Sequence, residues 1–362
     1  MSQATGRHLR GVVAVLLLAA LTGAARGAEP DRVRLTDKTE ILGEIVAVSP
    51  ADVEIRDART AEPARVTIDR IAAVEFGGEP EGLRTARNLL CRQDAAGALD
   101  EVGTIAQVEL DGASDNVLAD VAFIKAAATA RLATTSGTGL DSGAQALRAF
   151  LAARARSHHA FQAQELLGTL LVRAGRFDEA AAAFAALAQG PPALQVRAAL
   201  AKAGALVAQK KFPEAEREYA SAATMPIAPG DRAAARQRRE AQAGRARCLS
   251  RQGKAADAID LIQGLLREAD PDDRELLGRA YAALGDAYRA ADQDQDALIA
   301  FLTVDLVYNT APESHAEALY NLVQLWQKVQ NPERSRAARQ ALESAYPDSR
   351  WTRALAAAAG TG

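Results

Sequence analysis

The feature that most constrains this chain is an internal repeat of small residues within apolar helical segments. From residue 81 onward, apolar residues recur at i, i+3, i+4 and i+7 in paired segments separated by Gly, Pro and Asp. When the second segment of each pair is aligned on one small residue, the positions are Ala98, Ala146, Ala180, Ala215, Ala258, Ala297 and Ser335. From Ala180 onward the spacings are 35, 43, 39 and 38 residues, the period of a helical solenoid. We therefore expect stacked helix pairs, since one pair cannot bury its apolar face alone.

The composition suits a core of closely packed helices. Aromatic residues make up only 4% of the 362-residue chain and apolar residues 49%, so Ala, Leu and Val must fill the core. Ala and Leu favour helices, whereas large sheets draw on β-branched and aromatic residues. Charged residues, at 25%, are typical of a folded protein and exclude a disordered or collagen-like chain.

The repeats place large and small residues in a fixed order. The best unit contains Tyr281, Leu284, Gly285, Tyr288, Ala297 and Phe301. The next contains Leu167, Gly168, Leu171, Gly175, Ala180, Phe184 and Pro192. This order resembles that of the tetratricopeptide repeat family, closely over residues 161–356 and with irregular helical pairs over residues 81–160. The resemblance implies a mainly α fold, a TPR-like α-solenoid whose first helices line a concave groove that binds extended peptides.

Residues 31–76 differ from the rest, because polar and apolar residues alternate there in five short runs. Turn residues separate the runs, as expected for half-buried strands. A strand, a tight turn and a long strand bent at Gly43 resemble the Sm-like and SH3-like small barrels. The resemblance implies a small N-terminal all-β barrel, closed because closure removes exposed edges, although the residues alone also allow a curled sheet. Sm-like proteins bind RNA, but the loops here carry no RNA-reading residues, so only the fold is inferred.

The N-terminus has the order of regions of a secretory signal peptide. Basic residues precede a 12-residue apolar stretch at 11–22, and small residues follow it, with a predicted cut after Gly27 or Ala25. The apolar stretch is too short to span a bilayer, and the alternative is a buried N-terminal helix. No later stretch reaches 18 apolar residues without a charge, so no integral membrane segment is expected after removal of residues 1–27. We predict a periplasmic or secreted protein that ends in a flexible tail at residues 357–362.

Net charge and cysteine placement exclude other classes. The formal charge is −3, and loss of the three signal-segment arginines makes it −6, which argues against binding nucleic acid. Cys91 and Cys248 lie in separate repeats, too distant for the approach of about 7 Å between Cα atoms that a disulfide needs. We predict two buried free thiols.

No motif in the chain predicts catalysis. The run at residues 292–296 begins like a calcium loop but lacks its Gly and Glu, so a solvated turn is favoured. The Gly-rich run at residues 137–143 lacks the Lys of a phosphate loop and reads as an inter-helix loop. On a helix, His158 and His159 would point about 100° apart and could not share one ion. We predict no catalytic residue, no metal and no cofactor, and therefore no enzyme.

Basic residues are the candidate binding groups. The stretch of Arg236, Arg238, Arg239, Arg245 and Arg247 is either a solvated helix face or part of a groove. The resemblance implies that these basic residues face the groove: Arg173, Arg197, Arg247, Arg251, Arg279, Arg289 and Lys328. It also implies that these acids join them: Glu165, Glu240, Asp286 and Glu317. Seven bases against four acids favour an acidic or C-terminal carboxylate ligand. The family's carboxylate clamp is absent, because its Asn positions hold Thr169, Gly204, Arg247, Asp286 and Gln324.

These patterns predict an exported, non-enzymatic scaffold that binds a protein or peptide partner of the cell envelope in the groove of the array. One alternative is a self-assembling structural component of the envelope, with the β module forming a homo-oligomer. Another is an accessory protein that binds cell-wall glycan. Glycan sites present aromatic platforms, whereas Trp326 and Trp351 read as packing residues.

Overall fold

The structure is a computed structural model that describes residues 29–227 and 231–359. The predicted signal segment, residues 1–27, and the last three residues of the predicted tail lie outside these ranges. The strands are β1 Asp31–Leu35, β2 Glu40–Val48, β3 Asp52–Asp57, β4 Pro63–Thr67 and β5 Ile71–Glu75. A 3₁₀ turn, Ile68–Arg70, joins β4 to β5.

Helices fill the rest of the described chain. The first eight are α1 Glu81–Cys91, α2 Ala95–Thr104, α3 Gln107–Leu110, α4 Asp115–Ser136, α5 Leu140–Ala153, α6 Ala160–Arg173, α7 Phe177–Leu187 and α8 Pro192–Ala208. The others are α9 Phe212–Thr224, α10 Arg232–Arg251, α11 Ala255–Glu268, α12 Arg274–Ala290, α13 Asp294–Leu306, α14 Pro312–Lys328, α15 Pro332–Ala345 and α16 Arg350–Ala359. None of them combines the length and apolarity that a bilayer-spanning helix requires.

The five strands form one antiparallel sheet in the order β4-β3-β2-β1-β5. The alternating pattern places Val33, Val53, Ile55 and Val74 on the inner face, where they are almost fully buried. Gly43 lies where β2 crosses β3 so closely that a Cβ would stand 1.8 Å from the carbonyl oxygen of Arg56. The strands predicted from alternation are confirmed.

Closure of the sheet into a barrel was predicted and is wrong, since β4 and β5 are the two edges and do not pair with each other. Each has five residues, and the 3₁₀ turn between them leads the chain directly from one edge to the other. Helices close the module instead. The inner face of the sheet continues through Phe76 into one apolar core with Leu83 and Ala86 of α1 and with residues of α4.

The helices form a TPR-like solenoid, as the repeat predicts. After the α1–α2 pair, the first helices are α4, α6, α8, α10, α12 and α14, and the second helices are α5, α7, α9, α11, α13 and α15. Successive first helices pack against each other, while each second helix packs on the first helices before and after it. The first helices therefore form a continuous inner layer, and α16 closes the array against α14.

Close approach within a pair depends on glycine in the first helix and a ring in the second. A Cβ on Gly168 would stand 2.3 Å from Phe184, and one on Gly285 would stand 2.6 Å from Phe301. The aligned small residues of the later repeats are buried as predicted. In α5 the register differs, because Ala144 is fully buried whereas Ala146 is only half-buried.

The predictions for the two cysteines, the acidic run and the Gly-rich run are confirmed only in part. Both cysteines are free, and Cys248 is buried, but Cys91 is exposed because it is the last residue of α1. The acidic run at residues 292–296 forms the predicted turn between α12 and α13 and the start of α13. The Gly-rich loop is shorter than predicted, since α5 already begins at Leu140.

Candidate functional site

The inner layer of first helices brings the predicted basic and acidic residues together. At its centre, the guanidinium of Arg247 on α10 donates to both carboxylate oxygens of Glu317 on α14, at 3.3 and 2.5 Å. This pair spans two repeats and passes α12, which lies between them. The side chain of Glu317 is only 3% exposed. Removal of Arg247 would leave the buried carboxylate of Glu317 without its cation, so this contact ties α10 to α14.

Asp286 of α12 lies beside this pair and forms no hydrogen bond with a described residue. Burial, and then the charge of Glu317, raise the pKa of Asp286 to about 6, although Arg247, Arg251 and Arg289 act in the opposite direction. The carboxyl group is half-buried and faces neighbours of both signs. It is therefore a carboxyl group of the inner layer that no hydrogen bond from a described residue satisfies.

Most of the other predicted groove residues bind neighbouring helices. Arg279 contacts Glu240 at 2.9 Å and Glu275 at 2.5 Å. The remaining contacts join Arg197 to Glu165, Arg289 to Asn321 and Gln324, and Lys328 to Asp294. These groups stabilise the stacking of the repeats, and their charge is largely compensated within the chain.

Arg173 on α6 and Arg251 on α10 are the two predicted groove bases that form no ion pair with a described residue. Both are exposed. With Asp286, they are the members of the predicted groove set that no hydrogen bond or ion pair with a described residue holds. The surplus of accessible positive charge is therefore much smaller than the seven-to-four count suggests.

Four of the five arginines in the basic stretch of α10 bind other described residues, whereas Arg239 has no hydrogen bond or ion pair among them. Arg236 contacts Asp273 at 3.2 Å and Glu275 at 2.6 Å, at the start of α12. Arg245 contacts Glu216 of α9 at 3.2 Å, and Arg238 donates to a backbone carbonyl at the end of α9. These arginines hold α10 to its neighbours on both sides.

A cavity of about 430 Å³ lies where the sheet meets the first repeats. Strand β5 forms one wall, and helices α1, α4, α6 and α8 form the others. Ile68 of the 3₁₀ turn packs against Leu187 and Leu194, so this end of the sheet rests directly on the array. His158, His159 and Arg87 line the cavity.

The prediction that His158 and His159 diverge is wrong. They lie in the turn between α5 and α6 rather than on a helix, so the 100° rotation does not separate them. Their rings are 3.9 Å apart, and both Nε2 atoms approach Oδ1 of Asp120 on α4, at 3.6 Å for His158 and 3.0 Å for His159. Burial lowers the pKa of His158 to about 3, helped by the charges of His159 and Arg87, although the Asp120 carboxylate acts in the opposite direction.

A buried ion network surrounds this cluster. Arg87 of α1 donates to Oδ2 of Asp120 at 2.7 Å and to both oxygens of Glu79, at 2.9 and 2.8 Å. Burial by itself raises the pKa of Asp120, but His159, His158 and Arg87 outweigh it and hold that pKa below its ordinary value. Glu79 also accepts from the backbone N–H of Phe76, so the network links the sheet to α1 and α4.

Sequence reasoning did not identify this network. The available signal was Asp120, a lone acid inside an apolar helical segment, because an acid that faces a core must find a partner. The partners themselves come from distant parts of the chain, and no local spacing points to them.

Comparisons with known proteins agree with this fold. Residues 141–195 and 166–232 match the tetratricopeptide repeat family. No curated protein matches the chain. Among solved structures, a tetratricopeptide repeat protein from Parabacteroides merdae is similar at 13% identity, with 77% of this chain and 97% of that one covered and a TM-score of 0.54.

Two further solved structures share the fold at low identity. The apo form of RapI is 11% identical, with 75% of this chain and 77% of that one covered and a TM-score of 0.51. A Rap protein complexed with competence and sporulation factor is 12% identical, with 75% and 76% covered and a TM-score of 0.50. The chain therefore has a TPR-like α-solenoid fold, preceded by an open five-stranded antiparallel sheet.

Proposed function

We propose that this protein is an exported, non-enzymatic scaffold that binds a protein or peptide partner on the inner layer of its first helices. The observation that carries the proposal is the continuous inner layer with two exposed arginines, Arg173 and Arg251, and the carboxyl group of Asp286, none of which binds a polar group of residues 29–227 or 231–359. The similar Rap structure holds competence and sporulation factor, so an array of this fold is able to carry a ligand.

The accessible groups favour a ligand with a carboxylate. Guanidinium groups bind carboxylates through two parallel hydrogen bonds. The other predicted bases already bind carboxylates or side-chain amides of the chain. An acidic side chain or a C-terminal carboxylate of the partner fits Arg173 or Arg251, and a backbone N–H or a basic side chain fits Asp286. An extended peptide supplies these groups at intervals along one strand.

The proposed export rests on the order of regions in residues 1–27. Expression of the full chain in its source organism, followed by cell fractionation and N-terminal sequencing, tests it. We expect a protein in the envelope or the medium that begins after Gly27 or Ala25. An uncut chain that remains in the cytoplasm would contradict the proposal.

The self-assembly alternative is favoured by one observation, the open sheet with β4 as an unpaired edge strand. Such an edge can pair with the same edge of a second chain. Light scattering coupled to size-exclusion chromatography separates the two proposals: the mass of one chain at micromolar concentration contradicts self-assembly, and a stable oligomer supports it.

The glycan alternative is not favoured, because both tryptophans are engaged in packing. Trp351 packs against Tyr320 and lies under Arg350, and Trp326 lies under Arg334.

Affinity capture from an envelope extract tests partner binding. The bait is the chain beginning at residue 28, compared with a groove variant that carries Arg173→Glu and Arg251→Glu. The matched control carries Arg217→Glu and Arg267→Glu, two exposed arginines on the second helices α9 and α11 that form no ion pair within the described part of the chain. We expect one protein that the wild type and the control retain and the groove variant loses. Equal retention by all three baits, or by none, would overturn the proposed groove.

A further inference from the structure

We propose that Asp120, His158 and His159 bind a divalent transition-metal ion of the zinc class. Each offers one ligand atom, and the three atoms lie within 4.8 Å of one another. Two ligands about 2.0–2.2 Å from a tetrahedral zinc ion lie about 3.4 Å apart. The observed separations from Oδ1 of Asp120 are 3.0 Å to His159 and 3.6 Å to His158, on either side of that value.

The surroundings hold these atoms in place. Arg87 donates to Oδ2 of Asp120, which leaves Oδ1 free to face the two imidazoles. The ring of His159 stacks on Phe123 at 3.9 Å, and its Nδ1 lies 3.4 Å from Oε1 of Gln162. Metal-binding histidines commonly donate their second ring nitrogen to such an acceptor, which fixes the ring and its tautomer.

The local charge also favours a cation between these atoms. Arg87 and Glu79 compensate each other, so the carboxylate of Asp120 remains as a buried negative charge. If Nδ1 of His159 donates to Gln162, the lone pair of Nε2 points at Oδ1 only 3.0 Å away. Two lone pairs at that distance repel each other unless a cation lies between them. A proton on His159 is the competing occupant, and the test must distinguish it from a metal.

The site has three protein ligands and an approach from one side. His158 and His159 line the cavity of about 430 Å³ between the sheet and the array, and Cys91 and Glu165 line the same cavity. A three-ligand site leaves a coordination position for water or for a further donor. Imidazole and carboxylate together suit Zn²⁺, Co²⁺ and Fe²⁺ rather than Ca²⁺ or Mg²⁺. The bound ion joins α4 to the turn before α6, at the point where the sheet contacts the array.

Titration of the purified, metal-free chain with Zn²⁺ and Co²⁺ tests the proposal, with the protein made without a histidine tag. Calorimetry gives the stoichiometry for Zn²⁺, and the visible spectrum of Co²⁺ reports its coordination geometry. The variants are His158→Gln, His159→Gln and Gln162→Ala. The matched control is His315→Gln, because His315 also pairs with a carboxylate, Asp305, at 2.8 Å, but belongs to no group of three potential metal ligands among the described residues.

We expect one Zn²⁺ per chain in the wild type and in His315→Gln, and a tetrahedral or five-coordinate Co²⁺ spectrum from both. Gln162→Ala, which removes only the outer partner of His159, should weaken binding by about 10–100-fold. Each histidine variant should lose more than that. Circular dichroism of the metal-free variants checks their folding, and Gln162→Ala keeps the test valid if a histidine variant does not fold.

Two results would overturn the proposal. One is a wild-type chain that binds no stoichiometric Zn²⁺ at pH 7.5, which would leave a proton on His159 as the occupant. The other is binding that the His158→Gln and His159→Gln variants retain at wild-type strength, because the metal would then lie elsewhere.

Discussion

Glycine at an inner position of a first helix lets an aromatic ring of a second helix approach closely. Gly285 meets the ring of Phe301, which is fully buried and has no room to move. Gly204 on α8 has no neighbouring atom within 4 Å of an added Cβ. The two positions are therefore a matched pair, since both lie within helices and differ in the space beside them.

We expect opposite effects from alanine at these two positions. Gly285→Ala forces the Phe301 ring out of place and should lower the free energy of unfolding by about 1–3 kcal/mol. Gly204→Ala adds helix propensity without a clash and should raise it by about 0.5–1 kcal/mol. Urea unfolding followed by circular dichroism measures both. Equal effects of the two substitutions would contradict the packing described here.

The raised pKa of Asp286 predicts that the stability of the folded chain depends on pH. The pKa of Asp286 is about 6 in the folded chain, against 3.8 for an unperturbed aspartate, which represents the unfolded chain. Between pH 3.8 and 6 the folded protein therefore holds a proton on Asp286 that the unfolded chain has lost. Its contribution to stability is therefore present below about pH 4 and is lost as pH rises through about 6. Asp286→Asn should raise the free energy of unfolding by about 1–2 kcal/mol at pH 7 and have little effect near pH 4.

The control for this pH dependence is Asp260→Asn, an exposed aspartate on the second helix α11. Denaturant unfolding at pH 4, 5.5 and 7 separates the two variants. A stabilisation by Asp286→Asn that does not change across this range would contradict the assignment.

The sequence predicted which residues are buried where burial depends on spacing along one helix. It did not predict contacts between side chains that are far apart in the chain. Ala180, Ala215, Ala258 and Ala297 are fully buried, as the alignment of small residues predicts. The meeting of Asp120 with the two histidines 38 and 39 residues away follows from how α4 packs against the turn before α6. The helical period of apolar residues predicts no turn at His158 and His159. The sequence-based prediction therefore placed both residues on a helix, with side chains about 100° apart.

At the scale of elements, one buried arginine links the sheet to the helical array. Arg87 of α1 binds Glu79, which follows β5, and Asp120 of α4, and its side chain is only 11% exposed. Removal of Arg87 leaves two carboxylates buried without their cation. Arg176, by contrast, makes exposed contacts with Asp141 and Glu179.

Arg87→Ala should therefore lower the free energy of unfolding by about 3–5 kcal/mol. The control, Arg176→Ala, should cost much less, because exposed ion pairs contribute little to stability. Chemical denaturation of both variants measures the difference. Similar costs would show that the Arg87 network does not hold the sheet to the array.

The period of the apolar residues predicted each strand and most helices. It did not predict how the sheet packs against the helices. Alternation identified β1 to β5, and the 3.6-residue period identified the helix pairs. Closure of the sheet was predicted from the general disadvantage of open edges. In the structure, α1 and α4 cover the inner face of the sheet instead. Residues 31–76 do not predict this contact, because both helices lie outside that segment.

At the scale of the whole molecule, the array uses most of its inner charges to hold its own shape. The Arg247–Glu317 contact crosses two repeats, and Arg279, Arg289 and Arg197 join successive first helices. The resemblance implied where these side chains lie, but not that they bind one another, because partner choice depends on the stacking distance. Arg173, Arg251 and Asp286 are outside these contacts, and they are the residues that we propose for ligand binding.

The dissociation constant of the captured partner, measured by calorimetry against three forms of the chain, tests the proposed function most directly. We predict that Arg173→Glu with Arg251→Glu weakens binding at least about 10-fold, equivalent to about 1.4 kcal/mol. Arg217→Glu with Arg267→Glu, on the second helices, should leave the constant unchanged. If the second-helix variant weakens binding and the groove variant does not, the partner binds outside the inner layer, which contradicts the proposed groove.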